Sequence, residues 1–179
     1  MPNYKGAPIV VLRGVIRERG LQYEDQLRKQ LPANLRHSYD TLVATAWMPI
    51  ADAQRILDEA AHVLAPHEPD PRFALGKIMG REMLNGVYRF IVRVVTVPFL
   101  VAQSATLWGK YHDAGAATSE QVSSQSARMI VRGYPTLPEG MRTITAGWIA
   151  SSVEMTGEKN VHVHTGGGPA AWDWVVSWR

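Results

Sequence analysis

No cysteine occurs among the 179 residues, and this absence removes several kinds of chemistry at once. Without thiols the chain has no disulfides, no thiolate metal sites and no cysteine nucleophile, and its composition suits a reducing compartment such as the cytoplasm. An excess of charge is also missing, since 19 basic and 16 acidic residues leave a net charge of +3. The basic residues are spread along the chain and form no single patch, so we expect no nucleic-acid partner.

Long hydrophobic runs are equally scarce. The longest, residues 90–102, is interrupted by Arg93 and Pro98, and it is too short and too polar to span a bilayer. The N-terminal residues contain neither a long apolar core nor a small-residue cleavage site, so we expect no signal peptide. No Gly-x-Ser-x-Gly elbow or other nucleophile motif occurs either. These absences favour a non-enzymatic, cytoplasmic protein without a transmembrane segment.

The order of the predicted elements indicates an α+β fold. Helical patterns dominate residues 21–115, and a strand–helix–hairpin unit follows over residues 126–179. The length fits one domain, 1–179. We expect helices that cover one face of a small antiparallel sheet. The predicted helices are 23–31, 32–46, 51–64, 72–96, 99–115 and 141–157, and the predicted strands are 8–16, 127–134, 160–165 and 172–178.

Polar, proline-rich and glycine-rich stretches are assigned to the connections. The small, polar residues 116–126 predict a loop, and so do the three prolines within residues 65–71. Three glycines at 166–168 lie between two strands and do not precede a helix. They therefore predict a hairpin turn and not a phosphate-binding loop. In the longest predicted helix, apolar residues at 75, 79, 83, 87, 90, 91 and 94 share one face.

Tryptophan is concentrated at the C-terminal end, where three of the six fall within the last eight residues. Side chains alternate along a strand, so Trp172, Trp174, Val176 and Trp178 share one face. A face this aromatic must be covered, and the simplest cover is a helix of the same domain. The same face can be core at one end and the wall of a ligand pocket or a dimer surface at the other.

Four segments, residues 31–50, 75–92, 107–115 and 147–178, together resemble a family of myxobacterial paralogues of unknown function. That family is similar to the wider group of 4-vinyl-reductase domains, haem–nitric-oxide-binding domains and the lipid-pocket subunits of trafficking tethers. The resemblance rests on the helix that leads into the final hairpin and on the glycine and aromatic pattern of the middle helices. It implies a helical layer on one face of a small twisted antiparallel sheet, with an apolar cavity between them. Such domains sense or hold small apolar molecules or act as adaptors.

The chain departs from this wider group at two points. It lacks the cysteines often found in the last hairpin of vinyl-reductase-like domains, and it lacks the Tyr-x-Ser-x-Arg signature that grips haem propionates in nitric-oxide sensors. A haem site of that kind is therefore not expected, and no other cofactor is assigned. The candidate ligand-binding residues are large aromatics on the segments expected to face the cavity: Trp47, Tyr88, Trp108, Tyr111 and Trp148. Glycines at 76, 80, 86, 109 and 147 indicate either close helix packing or room for a ligand.

Three histidines are further candidates. His162 and His164 share one strand face and suit a metal, with Asp173 as a third ligand, although a solvated outer face is the simpler interpretation. His112 lies beside Asp113 near a predicted helix end. A histidine there can meet the helix macrodipole, titrate near neutrality or ligate haem.

A mostly basic stripe runs along the longest predicted helix. Its members fall four apart and are Lys77, Arg81, Asn85, Arg89 and Arg93. Solvation of this stripe is favoured, and pairing with a carboxylate such as Glu154 is the alternative.

Two hypotheses about function follow from these observations. The leading one is a non-enzymatic sensory or adaptor domain that binds a small apolar ligand in a cavity between helices and sheet. The alternative is a protein-interaction or scaffolding module in a signalling complex, with no ligand cavity, acting as a homodimer or with a signalling-protein partner. Direct helix–helix contact without an internal cavity would favour the alternative.

Overall fold

The computed structural model describes residues 1–84 and 96–179, apart from the side chains of Ser104 and Ala105. Within these ranges no helix is long and apolar enough to cross a membrane. The helices are α1 (Gly6–Arg19), α2 (Leu21–Gln30), α3 (Ala33–Thr41), α4 (Ile50–Leu64), α5 (Pro71–Leu84), α6 (Val97–Tyr111) and α7 (Glu139–Glu154). The strands are β1 (Asn3–Lys5), β2 (Trp47–Pro49), β3 (Ala116–Ser123), β4 (Ser126–Arg132), β5 (His162–Gly168) and β6 (Ala171–Ser177).

The main sheet is antiparallel and has the strand order β3-β4-β6-β5, so β3 and β5 are its edges. Helix α6 packs on β3 and β4, and helix α7 packs on β5 and β6. β1 and β2 pair separately in a two-stranded sheet. The predicted α+β fold, with helices on one face of a small antiparallel sheet, is confirmed.

The aromatic face of β6 is covered by this helical layer. Trp172, Trp174 and Trp178 are buried, and Trp174 has no exposed surface. Nε1 of Trp172 donates to the carbonyl of Tyr134 at 2.9 Å, and Nε1 of Trp174 donates to the carbonyl of Arg142 at 3.0 Å. A buried indole N–H needs an acceptor, so these two bonds fix β6 against the start of α7. The prediction of a covered tryptophan face is confirmed.

The strand predicted over residues 8–16 is wrong, because these residues belong to α1. Ile9, Leu12 and Ile16 are fully buried, and their spacing of three and four residues places them on one helical face. Pro8 lies in the first turn, where its missing N–H costs no intrahelical bond. The β-branched composition of the segment suggested a strand, but the spacing of its buried residues fits a helix.

The loop predicted over residues 116–126 is also wrong, since most of it forms β3. Among the described strands β3 pairs only with β4, and nearly all of its residues are at least partly exposed. An edge strand in contact with solvent carries polar side chains. The composition of β3 is therefore as polar as that of a loop.

The three glycines predicted to form a turn instead end strand β5, and the turn falls at residues 169–170. Gly167 requires glycine by its backbone conformation, and Gly166 leaves room for the Asp173 carboxylate. Gly167 has φ +80°, and a Cβ at Gly166 would lie 2.6 Å from Oδ1 of Asp173. The prediction of a hairpin is confirmed, and its turn is shorter than predicted.

The predicted helix 72–96 is described as far as Leu84. The first residues of the predicted apolar face, Leu75 and Met79, are buried as expected. Positions 87, 90, 91 and 94 of that face lie outside the described residues. Pro98 lies at the start of a helix. It occupies the first turn of α6, after Thr96 in an extended conformation.

Helices α5 and α7 pack closely at three glycines, and at two of them backbone meets backbone. A Cβ at Gly76 would lie 2.1 Å from the carbonyl oxygen of Ile144, and one at Gly147 would lie 2.0 Å from that of Phe73. A Cβ at Gly80 would meet Oγ of Ser151 at 2.1 Å. Close helix packing therefore explains these glycines. Gly109 has no neighbour within 4 Å of its Cβ position, and Gly86 lies outside the described residues.

Candidate functional site

A cavity of about 150 Å³ lies between the helical layer and the main sheet. Helices α5, α6 and α7 form one side of it, and β4 and β6 contribute from the sheet. The lining is mainly apolar and includes Met79, Leu100, Val101, Leu107, Met129, Met141, Ile144, Ile149, Val153 and Trp174.

The structure brings together three of the five candidate ligand-binding residues that were predicted from the sequence. Trp108, Tyr111 and Trp148 all line the cavity. Trp47 does not, because its side chain points to the surface, where it is 42% exposed and the Lys5 ammonium lies 4.3 Å from its ring centroid. Tyr88 lies outside the described residues.

Trp108 holds the end of α6 in place. It is buried, and its Nε1 donates to the carbonyl of Ala114 at 3.0 Å, across the turn that follows the helix. Its ring stacks on the imidazole of His112 with centroids 3.8 Å apart and an interplanar angle of 6°. The indole therefore forms both part of the cavity wall and a platform for the histidine.

His112 is a buried, neutral histidine in the cavity wall. It is 7% exposed, and burial lowers its pKa from 6.5 to about 3 against a smaller opposing effect of Asp113. Its Nδ1 is enclosed and has no hydrogen-bond partner. The alternative in which His112 titrates near neutrality is therefore wrong, because the side chain is buried in the core after the last turn of α6.

The N-terminal strand holds the segment that carries His112. Tyr4 forms a β-bridge with His112, and the two rings lie 5.0 Å apart. The Asp113 carboxylate accepts hydrogen bonds from the backbone N–H of Asn3 at 2.6 Å and from its side-chain amide at 2.7 Å. These bonds hold the pKa of Asp113 below its usual value. The contacts of Tyr4 with His112 and of Asn3 with the neighbouring Asp113 therefore fix the position of His112.

Most other polar groups in the cavity wall are already satisfied. The hydroxyls of Thr145 and Ser152 donate to carbonyls one turn earlier in α7, each at 2.8 Å. Ser119 of β3 donates to the carbonyl of Val101 in α6. Arg128 is engaged by Asp173 through a bond of 2.7 Å from Nε and a second, shorter contact from the guanidinium. The wall therefore offers a ligand mainly apolar surface.

The two histidines considered as candidate metal ligands lie on the outer face of the sheet. His162 and His164 are both exposed, as the simpler interpretation of a solvated face expects. Asp173, their possible third ligand, is held by Arg128. Among the residues that the structure describes, no group of three or more metal-ligating side chains is positioned to hold a metal ion.

The described part of the basic stripe is paired and not simply solvated. Nζ of Lys77 lies 2.6 Å from one Glu154 carboxylate oxygen, and the Arg81 guanidinium lies 3.1 Å from the other. These pairs join α5 to α7, so their role is structural. Asn85, Arg89 and Arg93 lie outside the described residues.

Four methionines and Trp174 line the cavity but were missed by the search for large aromatics on helices. The methionines are Met79, Met83, Met129 and Met141. Apolar residues of this kind give no signal in the sequence that separates cavity wall from filled core. The alternation of β6 did place Trp174 on the covered face, which was the available hint.

The chain resembles H-NOX domains of known structure over nearly its full length. A mutant H-NOX protein from K. algicida, in its Fe(II) unliganded state, has a TM-score of 0.66 and 10% identity over 98% of this chain and 96% of that one. A mutant of T. tengcongensis H-NOX has a TM-score of 0.67 and 11% identity over 98% of this chain and 97% of that one.

An oxygen-binding H-NOX domain related to soluble guanylate cyclases, solved as its oxygen complex, has a TM-score of 0.64 and 10% identity over 97% of this chain and 92% of that one. No family model and no curated protein sequence matches the chain. At these identities the likeness shows the fold alone. The chain therefore has an H-NOX-like fold, as the haem–nitric-oxide-binding part of the resemblance implied.

This likeness raises the question of whether the described residues could hold a haem, since one similar structure concerns haem distortion in the H-NOX family. The neutral imidazole of His112 is a donor that iron accepts. The volume does not fit, because about 150 Å³ is half of the roughly 300 Å³ at which drug-sized ligands begin. Residues 124–128 keep the serine and arginine of the propionate signature but not its tyrosine, and that arginine, Arg128, is held by Asp173. The described residues therefore do not fit a haem.

Proposed function

We propose that the chain is a non-enzymatic sensory or adaptor domain that holds a small apolar molecule in the cavity between its helices and its main sheet. The single observation that carries this proposal is the apolar cavity itself. Protein interiors are normally packed without voids larger than a water molecule. An apolar space of this size between the helices and the sheet therefore favours an occupant.

The volume defines the size of the occupant. A cavity of about 150 Å³ with an apolar wall takes a ligand of the size of benzene or xenon. The likeness to an H-NOX domain solved as its oxygen complex supports a role in binding small molecules. The ligand proposed here fills the space beside Trp108 and Trp148, without a haem.

Two further parts of the proposal rest on the sequence. We propose that residues 1–179 act as one unit, and that the chain belongs with the myxobacterial paralogues whose segments it resembles. The alternative, an interaction module without a ligand cavity, requires a filled interior. The cavity among the described residues favours the ligand-binding function over this alternative.

Binding of toluene to the purified protein tests the proposal. Isothermal titration calorimetry should give about one site per chain. Ser152 lines the cavity from α7 and is 5% exposed. Ser152→Leu should fill part of the space and weaken binding by at least about tenfold, at a stability cost of about 1–3 kcal/mol for the added volume.

Ser152→Ala is the matched control. Both substitutions remove the hydroxyl that bonds the Trp148 carbonyl, but alanine leaves the space open. Toluene should therefore bind the alanine variant about as tightly as the wild type. Absence of any binding heat in the folded wild-type protein, up to the solubility of toluene, would contradict the proposed function.

A further inference from the structure

Methionine is concentrated in the wall of the cavity. Four of the seven methionines in the chain line it, and they are Met79, Met83, Met129 and Met141. Methionine sulfur is polarisable and makes favourable contacts with aromatic rings. A wall that is rich in thioethers therefore distinguishes an aromatic occupant from a saturated one.

Met129 presents part of its surface to the cavity from the sheet. It lies in β4 on the face of the main sheet that the helices cover, opposite Trp174 in the pairing of β4 with β6. Ala127 and Val131 share that face of β4 and are 1% and 0% exposed. Met129 is only half-buried and lines the cavity, so the surface that it keeps faces the space beneath the helices.

Trp148 presents an indole from the helical side. It belongs to α7, it is half-buried, and it lines the cavity. A Cβ at Gly80 of α5 would lie 3.2 Å from Cδ1 of Trp148, so the ring packs against this glycine. Indole packs favourably against a second ring in offset or edge-to-face geometry. The cavity thus has a thioether on its sheet side and an indole on its helical side.

Most polar groups of the wall are already engaged within the protein. The indole N–H groups of Trp108 and Trp174 donate to backbone carbonyls. The hydroxyls of Ser119, Thr145 and Ser152 donate to carbonyls as well. A polar substituent on the ligand would lose its hydrogen bonds to water on entry and regain few of them. A hydrocarbon ring enters without this cost.

Resting on the function proposed above, we infer that the ligand is a single aromatic hydrocarbon ring, which the cavity selects over a saturated ring through the thioether of Met129 and the indole of Trp148. The volume of about 150 Å³ is that of a cavity that binds benzene. The leucine, isoleucine and valine side chains of the wall contact both kinds of ring alike, so the selection comes from sulfur and indole.

Benzene and cyclohexane are the probes, since both are apolar six-membered rings and only benzene is aromatic. The quantity to measure by calorimetry is the ratio of the cyclohexane Kd to the benzene Kd, in the wild type and in Met129→Leu. Leucine is close to methionine in volume, so this variant removes the sulfur and leaves the space nearly unchanged. The ratio should fall by about threefold, the effect of one contact between sulfur and ring. The cyclohexane Kd itself should change by less than about twofold.

Met48→Leu is the matched control. Met48 is 4% exposed and lies outside the cavity lining, so this variant should leave the ratio unchanged. An equal ratio in the wild type and Met129→Leu, with benzene still bound, overturns the inference and leaves the proposed function intact. Failure of both rings to bind the folded wild type overturns the proposed function, and this inference with it.

A measurement on the wild type alone covers the case in which Met129→Leu does not fold. The preference for benzene over cyclohexane is compared with the preference that the same two compounds show in partitioning from water into hexane. Benzene should bind at least about threefold more tightly, relative to cyclohexane, than this partitioning predicts. A binding preference that only follows the partitioning overturns the inference.

Discussion

Among single side chains, His112 combines a basic ring with almost complete burial. Its pKa of about 3 lies below the ordinary 6.5, so between these values the unfolded chain binds a proton that the folded chain does not. The stability due to this group is fully present above pH 6.5 and is lost as the pH falls towards 3. From pH 7 to pH 5 the free energy of unfolding should drop by about 2 kcal/mol through His112.

Urea unfolding of the wild type and of His112→Phe at both pH values checks this. The phenylalanine variant should lose about 2 kcal/mol less than the wild type. All other ionisable groups are common to the two proteins, so their contribution cancels in the comparison. An equal pH dependence of the two proteins would show that His112 binds a proton as readily when folded as when unfolded.

Trp174 is the second side chain that carries a prediction. It has no exposed surface, and its indole N–H bonds the Arg142 carbonyl at 3.0 Å. Trp174→Ala should lower the free energy of unfolding by about 3–5 kcal/mol, the usual cost of emptying a buried aromatic site. Trp47→Ala, at a side chain that is 42% exposed, should cost less than about 1 kcal/mol. Equal losses in urea melts would refute the assignment of β6 to the core.

For the helices and strands, the backbone contact between α5 and α7 can be tested by adding one methyl group. A Cβ at Gly147 would lie 2.0 Å from the Phe73 carbonyl oxygen, which is backbone and cannot rotate away. Gly147→Ala should therefore cost about 1–3 kcal/mol in the free energy of unfolding. It should also disturb the wall of the cavity next to the contact.

Gly14→Ala is the matched control, because its helical Cβ position has no neighbour within 4 Å. This alanine should stabilise the protein by roughly 0.5–1 kcal/mol through helix propensity alone. Chemical unfolding of both variants gives the comparison. If both alanines stabilise, the two helices are not in backbone contact.

The elements that sequence patterns predicted are those in which composition and burial agree. Helix α4 begins and ends within one residue of the prediction, because its apolar spacing matches its buried face. α1 and β3 were missed for opposite reasons. Burial at helical spacing overrides β-branched composition in α1, and exposure at a sheet edge allows loop-like polarity in β3.

The candidate site was predictable only in part. Large aromatics on helices identified Trp108, Tyr111 and Trp148 as cavity residues, because a covered aromatic side chain points inwards. The same criterion failed at Trp47, since nothing in its sequence neighbourhood signals that this side chain points to the surface. The size of the cavity could not be predicted, because it depends on how closely α5, α6 and α7 approach one another in space.

For the protein as a whole, the mismatch between cavity and haem leads to a prediction. Protein produced with a haem supplement should purify with well under one haem per chain, because about 150 Å³ does not hold a porphyrin. The absorbance spectrum of the purified protein measures this. An intense Soret band that disappears in His112→Ala would contradict the prediction and make His112 an iron ligand.

Three of the six tryptophans, Trp108, Trp148 and Trp174, surround the cavity. Indole emission responds to the polarity and the contacts of its surroundings, so a molecule that enters the cavity alters the intrinsic fluorescence of the chain. Trp47, at the surface and away from the cavity, emits from a solvent-exposed environment under either condition. Intrinsic tryptophan fluorescence therefore reports whether the cavity is occupied. Unlabelled compounds can be screened for binding by this measurement.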